Sequence, residues 1–174
     1  GNFAIGEAYT ETWARIINCA FTSYNAMKST NINKNDFNMF MIFCLQIERM
    51  FSIDQMNKIL NFMGLTYETL YKSGDINAYL RDNLYREKTN VFAYYILTGI
   101  FMNNFYEFML WCQKNNTFLF KYHKTQKNIN SFKNLIETLY KNDILLESLT
   151  CLNLKDSKQK VLQQTTRMSI VEFT

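Results

Sequence analysis

One stretch decides how this chain folds: residues 91–112, VFAYYILTGIFMNNFYEFMLWC. Seventeen of its 22 residues are apolar, and the exceptions are Thr98, Gly99, Asn103, Asn104 and Glu107. A helix of this length could cross a bilayer, which needs about 20 apolar residues. A strand is a second interpretation, although strands usually have only about five or six residues. The third interpretation is a buried central helix of a globular domain.

Three of the polar exceptions fall on one side of such a helix. Gly99, Asn103 and Glu107 are spaced four residues apart and so form a narrow stripe, with Asn104 beside it. A carboxylate and two amides in mid-span would be costly in lipid unless they met polar partners there. We therefore predict a buried central helix over 91–112. Its polar seam, Gly99, Asn103 and Glu107, would face solvent, a buried polar partner or another chain.

The composition predicts a single, mainly α domain of six or seven helices over residues 1–174. Apolar residues make up 48% of the chain and charged residues 20%, which is typical of a globular protein. The chain contains no proline, and proline breaks helix interiors, so long helices are favoured. Because the chain starts at Gly1 without a methionine, an alternative is that it is the C-terminal part of a longer protein.

Hydrophobic periodicity predicts the elements around the central helix. Helices are expected over 7–27, 36–51, 52–64, 66–73, 75–87, 131–152 and 157–166. The boundary at 52 rests on a capping box formed by Ser52 and Gln55. Residues 117–123 alternate aromatic with other side chains and could pair with 169–173 as a short two-stranded ribbon.

Charge and cysteine usage predict no metal and no cofactor. The net charge is only +4, the four cysteines form no CxxC pair, and His123 is the only histidine. We expect reduced thiols in an intracellular compartment, the cytoplasm or a virus particle. Abundant Asn, Lys, Ile, Phe and Tyr are typical of AT-rich genomes, which parasites, some bacteria and many large DNA viruses have.

Residues 54–72, DQMNKILNFMGLTYETLYK, resemble the helix-turn-helix of DNA-binding regulators. A capped helix ends at a Met-Gly-Leu turn, and a short second helix follows from Thr66. The resemblance implies that the second helix enters the major groove, where Tyr67 and Lys72 would contact DNA. Leu60 departs from the pattern, which usually has a small residue there.

A basic and aromatic stretch gives a second nucleic-acid hypothesis. Residues 114–133 contain no acidic residue, and four candidate contact lysines lie there: Lys114, Lys121, Lys124 and Lys127. Phe118, Phe120, Tyr122 and Phe132 are interleaved with them. Aromatic rings beside cations bind single-stranded nucleic acid without sequence preference. The alternative is that the rings pack in the core and the lysines form a solvated face.

The segment GEAYTETWA, residues 6–14, resembles the helix that supplies the glutamate ligand in gluzincin zinc metallopeptidases. The resemblance implies Glu7 or Glu11 as a zinc ligand and a His-Glu-x-x-His helix elsewhere, which this chain lacks. The chain would then be the C-terminal portion of such an enzyme. The alternative is that Glu11 pairs with Arg15 on a solvated helix face.

We find no other catalytic constellation and expect a non-enzymatic structural or protein-interaction module of viral origin. Its partner would be another protein or a copy of itself, with nucleic acid as the alternative; we expect no membrane partner. The nine methionines are adaptable enough to line an interaction surface.

Overall fold

The computed structural model describes residues 4–28, 33–153 and 166–171, most of which are helical. These ranges contain eight α-helices and one π-helix: α1 Ile5–Ala26, α2 Lys34–Phe62, α3 Tyr67–Tyr71, α4 Asp75–Leu84, the π-helix Phe92–Leu97, α5 Thr98–Asn103, α6 Phe105–Asn115, α7 Gln126–Leu139 and α8 Asp143–Asn153. The predicted mainly α fold is confirmed. The described part has more helices than the six or seven expected, because the predicted helices 91–112 and 131–152 are each divided, which outweighs the joining of 36–51 and 52–64 in α2.

Helices α1 and α2 pack side by side in opposite directions. Ser23, late in α1, lies 3.9 Å from the Met41 sulfur, early in α2. Tyr9, Trp13 and Ile16 recur at three- and four-residue steps and are buried, so the periodicity that predicts this helix is confirmed for them, whereas Tyr24, which continues the series, is 51% exposed.

Helix α2 runs without interruption through Ser52, so the predicted helix boundary at that residue is wrong. The Ser52 hydroxyl donates to the Arg49 carbonyl at 2.7 Å instead of capping a new helix. No Gly or Pro lies inside α2 to break it. The helix ends where expected, since Gly64 adopts a φ of 73° that favours glycine.

The central segment is buried, as predicted, but it is not one helix. Residues 96–104 are all buried. At Asn104 the backbone leaves helical geometry, with φ −124° and ψ 47°, and divides α5 from α6. The Asn104 side chain donates to the Ile100 carbonyl at 2.9 Å. Asparagine side chains compete for backbone groups in this way and disfavour helix interiors.

The C-terminal half departs from prediction at two places. Instead of one helix over 131–152 there are two, separated at Asn142, whose Oδ1 accepts a hydrogen bond from the Ile144 N–H at 2.9 Å. The predicted ribbon is also absent from residues 117–123 and 169–171, which contain no strand. The Leu119 carbonyl accepts a hydrogen bond from Tyr9 instead. Residues 157–165 and 172–173 of the predicted helix and ribbon lie outside the described residues.

An aromatic cluster joins the N-terminal and C-terminal halves in one core. Phe101 lies 5.1 Å from both Phe108 and Phe132, measured between ring centroids. Tyr9 of α1 packs against Phe132 at 6.0 Å, and Trp111 lies 4.5 Å from that same ring. Within the described ranges, we find no helix that combines the length and apolar content of a bilayer span.

Candidate protein-interaction surface

Large apolar side chains are exposed along one side of α2. Met39, Ile42, Phe43 and Met50 have exposed fractions of 66%, 57%, 58% and 54%. Ile42, Phe43 and Met50 follow Met39 by three, four and eleven residues, and this spacing places all four on a single helical face. We call this surface, together with exposed Gln46, the α2 face.

The opposite side of α2 already has its partner, so the α2 face is left to solvent. Met41 and Cys44 face α1, where Ser23 and Cys19 lie. Residues 37–47, FNMFMIFCLQI, include no charged residue on any side of the helix. A helix that is apolar all round is normally buried. Contiguous exposed apolar area of this kind is typical of sites that contact proteins, membranes or ligands.

A groove continues the α2 face toward α8. Its volume is about 320 Å³, and it is lined by Arg49 and Met50 from α2 and by Ile144, Glu147 and Cys151 from α8. The Ile144 side chain is 55% exposed. The α2 face and this groove therefore form one continuous surface with charges of both signs at its edge.

The polar seam predicted on the central helix meets α2. Asn103 Nδ2 lies 3.1 Å from Ser52 Oγ and 2.9 Å from the Gly99 carbonyl, and it donates to both. A Cβ on Gly99 would lie 3.3 Å from the Met56 sulfur, so the absence of a side chain lets α5 approach α2 closely. Glu107 is half-buried on α6, beyond the break at Asn104.

A buried ion cluster lies between α1 and α2, and the sequence patterns did not predict it. Arg15 is 2% exposed, and its Nε lies 3.0 Å from Glu11 Oε1. Its Nη2 donates to the Tyr94 carbonyl of the π-helix at 3.2 Å. The predicted pairing of Glu11 with Arg15 is confirmed, but Arg15 lies in the core and not on a solvated face. Arg15 also lies near the fully buried carboxylate of Glu48.

Glu48 receives the C-terminal segment of the described chain. Its Oε2 accepts hydrogen bonds from Ser169 Oγ at 3.1 Å and from the N–H groups of Ile170 and Val171 at 3.2 and 3.3 Å. Burial raises the pKa of Glu48, and the nearby Arg15 charge and these hydrogen bonds oppose that shift. The segment supplies three donors to Oε2 of this buried carboxylate, and Oε1 has no hydrogen-bond partner among the described residues. The signal in the sequence is an acidic residue that directly follows the uncharged stretch 37–47.

The candidate zinc ligands both have protein partners. Glu7 Oε2 accepts a hydrogen bond from Asn90 Nδ2 at 2.7 Å. Glu11 is held by Arg15. Among the residues that the structure describes, no group of three or more His, Cys, Asp or Glu side chains could hold a metal ion.

The candidate helix-turn-helix residues lie in different environments. Tyr67 is buried, and its hydroxyl donates to the Tyr140 carbonyl at 2.7 Å. Lys72 is exposed and forms an ion pair with Glu68 at 2.7 Å. The helix before the turn is the end of the 29-residue α2, and the helix after it has only five residues.

The basic and aromatic stretch is divided between core and surface. Lys114, Lys121, Lys124 and Lys127 are all exposed. Phe118 and Phe120 have exposed fractions of 68% and 63%, although Phe120 also packs edge-on against Trp13 at 4.7 Å. Phe132 is fully buried and Tyr122 is half-buried. Two rings and four lysines of this stretch are therefore accessible.

Comparison of the chain with protein-family models, with curated proteins and with solved structures finds no match. The functional interpretation therefore rests on the geometry and chemistry of these surfaces.

Proposed function

We propose that this chain is a non-enzymatic protein-interaction module that binds a second copy of itself through the α2 face. The observation that carries the proposal is the exposure of Met39, Ile42, Phe43 and Met50, each more than half exposed on one side of one helix. Burying such side chains is the main favourable term in protein association. Methionine adds flexibility that lets a surface adapt to its partner.

The charge distribution supports a second copy as the partner. The protein carries a net charge of +4, so two copies repel each other modestly as whole molecules. Residues 37–47 carry no charge, and two copies can meet there without a like-charge contact. In a two-fold contact the same patch serves both partners.

The groove between α2 and α8 supports the same arrangement. A stable interface needs about 800 Å² from each partner, more than four side chains supply. Ile144 in the groove extends the apolar area, and Arg49 and Glu147 lie at its edge. Because the edge carries both signs of charge, a copy related by a two-fold axis can present a charge opposite to each.

A matched pair of substitutions on α2 tests the proposal. We expect Phe43→Glu to weaken self-association at least tenfold, because it places a charge at the centre of the α2 face. Phe62→Glu makes the same change on the same helix at a side chain that is 91% exposed but lies off that face, and should leave affinity unchanged. Fluorescence anisotropy of a labelled copy titrated with unlabelled protein gives the dissociation constants. Equal effects of the two substitutions would rule out the α2 face as the interface.

Binding of single-stranded nucleic acid is a second candidate function, favoured by the exposed Phe118 and Phe120 beside exposed lysines. Bases would stack on the rings while the lysines contact phosphates. We expect affinity for an unstructured oligonucleotide to fall steeply with salt and to drop further in Phe118→Ala. An oligonucleotide that does not bind at 50 mM salt would exclude this function.

A further inference from the structure

A cleft lies between α3, α4, α7 and the π-helix, away from the residues of the α2 face. Its volume is about 590 Å³, within the range of small-molecule sites. Ile96, Leu97 and Ile100 contribute aliphatic side chains, and four tyrosines also line the cleft: Tyr67, Tyr71, Tyr85 and Tyr140. A cleft with this lining suits a ligand whose body is a hydrocarbon.

The π-helix shapes this cleft. It contributes Phe92, Ile96 and Leu97 to the lining. Two side chains bond to carbonyls of its wide turns: Thr98 Oγ1 donates to the Ala93 carbonyl at 2.9 Å, and Arg15 donates to that of Tyr94. Short π-helical turns occur frequently at functional sites.

Cations predominate over anions around the cleft. Arg81 and Lys133 line it, together with one acidic residue, Glu137. Lys141 lies 5.7 Å and 5.0 Å from the ring centroids of Tyr71 and Tyr140. Glu87 is a second acidic residue nearby, and it accepts hydrogen bonds from the Tyr85 hydroxyl and the Phe92 N–H, so three cationic side chains lie around the cleft against two acidic ones. The local charge therefore favours an anionic group on the ligand.

Hydrogen bonds from one nitrogen of the Arg81 guanidinium fix its position at the cleft. Its Nη1 donates to the Thr69 and Lys72 carbonyls at 2.7 and 3.0 Å, where α3 ends. Within the described residues, its Nε and Nη2 make no hydrogen bond, so this edge of the guanidinium can bind a carboxylate. Lys133 is exposed on α7 and can contribute a second cation.

We propose that the cleft binds a long-chain carboxylate. The hydrocarbon chain would lie against the aliphatic and tyrosine lining, and the carboxylate would face Arg81 and Lys133. This site is independent of self-association, and Phe43→Glu should leave it intact.

Calorimetric titration with dodecanoate, kept below its micelle concentration, tests the site. We expect saturable binding of one molecule per chain and at least tenfold weaker binding of dodecylammonium, which has the same chain with the opposite charge. Lys133→Gln should weaken dodecanoate binding about tenfold. Lys114→Gln, on an exposed lysine outside the cleft, should leave it unchanged.

A cavity-filling substitution tests the location. Ile136→Trp should weaken dodecanoate binding at least tenfold because the indole occupies part of the cleft, and circular dichroism must show that the helices remain. If this variant fails to fold, the comparison of Lys133→Gln with Lys114→Gln, both at exposed positions, still tests whether dodecanoate binds in the cleft. The proposal is overturned if dodecanoate does not bind, if dodecylammonium binds as tightly, if the two lysine variants behave alike, or if folded Ile136→Trp binds normally.

Discussion

At the scale of single residues, Glu48 is the most unusual side chain of the described fold. Its carboxylate is fully buried, near Arg15 and under the N–H groups of Ile170 and Val171. A buried carboxylate is destabilising unless hydrogen bonds or a nearby opposite charge compensate for its lost hydration. We infer that these residues hold the C-terminal segment against α1 and α2.

The raised pKa of Glu48 predicts a pH dependence of stability with a definite sign. The folded protein binds the Glu48 proton more tightly than the unfolded chain. The contribution of Glu48 to the free energy of unfolding is therefore largest below its pKa in the unfolded chain, about 4.3. It falls as pH rises from there through the pKa of Glu48 in the folded protein. Glu48→Gln has no such titration. Urea unfolding should therefore show that the free energy of unfolding of Glu48→Gln minus that of the wild type increases with pH between the unfolded and folded pKa values, by at most about 1.4 kcal/mol per pH unit. If the difference between the two free energies of unfolding did not change with pH, the raised pKa of Glu48 would be contradicted.

The burial of the cysteines predicts how fast each thiol reacts. Burial raises the pKa of Cys19 to about 12 and that of Cys112 to about 11, and Cys44 is buried, whereas Cys151 is exposed. Thiolates are the reactive form. A disulfide reagent at pH 8 should modify one thiol quickly and three only on unfolding. Cys151→Ser should remove the fast reaction; a fast phase that survives would place another thiol at the surface.

At the scale of elements, the contact between α2 and α5 depends on Asn103. We expect Asn103→Leu to lower the free energy of unfolding by about 1–3 kcal/mol, because it removes the donor to Ser52 and Gly99 in the core. Glu107→Leu, at a half-buried position beyond the break, should change it by less than about 0.5 kcal/mol. Chemical denaturation measures both, and equal losses would mean that the seam continues across Asn104.

The same elements show what sequence patterns can predict. The apolar period of α1 and the glycine turn after α2 are local signals, and both predictions were correct. The divisions at Asn104 and Asn142 were missed because an Asn side chain can either continue a helix or bond its backbone. Residues 37–47 were assigned to a helix, but their composition does not reveal which side lacks a partner.

At the scale of the whole molecule, long-range contacts account for what the sequence could not predict. Tyr9 meets the Leu119 carbonyl, and Glu48 meets Val171. The cleft gathers side chains from α3, α4, α7 and the π-helix. No sequence pattern within one helix predicts these contacts, because each contact depends on how several helices pack together.

Sedimentation velocity of the wild-type chain over a series of concentrations tests whether two copies associate through the α2 face. Association through the α2 face predicts a reversible shift from the mass of one chain to that of two as concentration rises. Phe43→Glu should remain at the mass of one chain, and Phe62→Glu should follow the wild type. A wild-type chain that sediments as a monomer from micromolar to submillimolar concentrations would contradict the proposal.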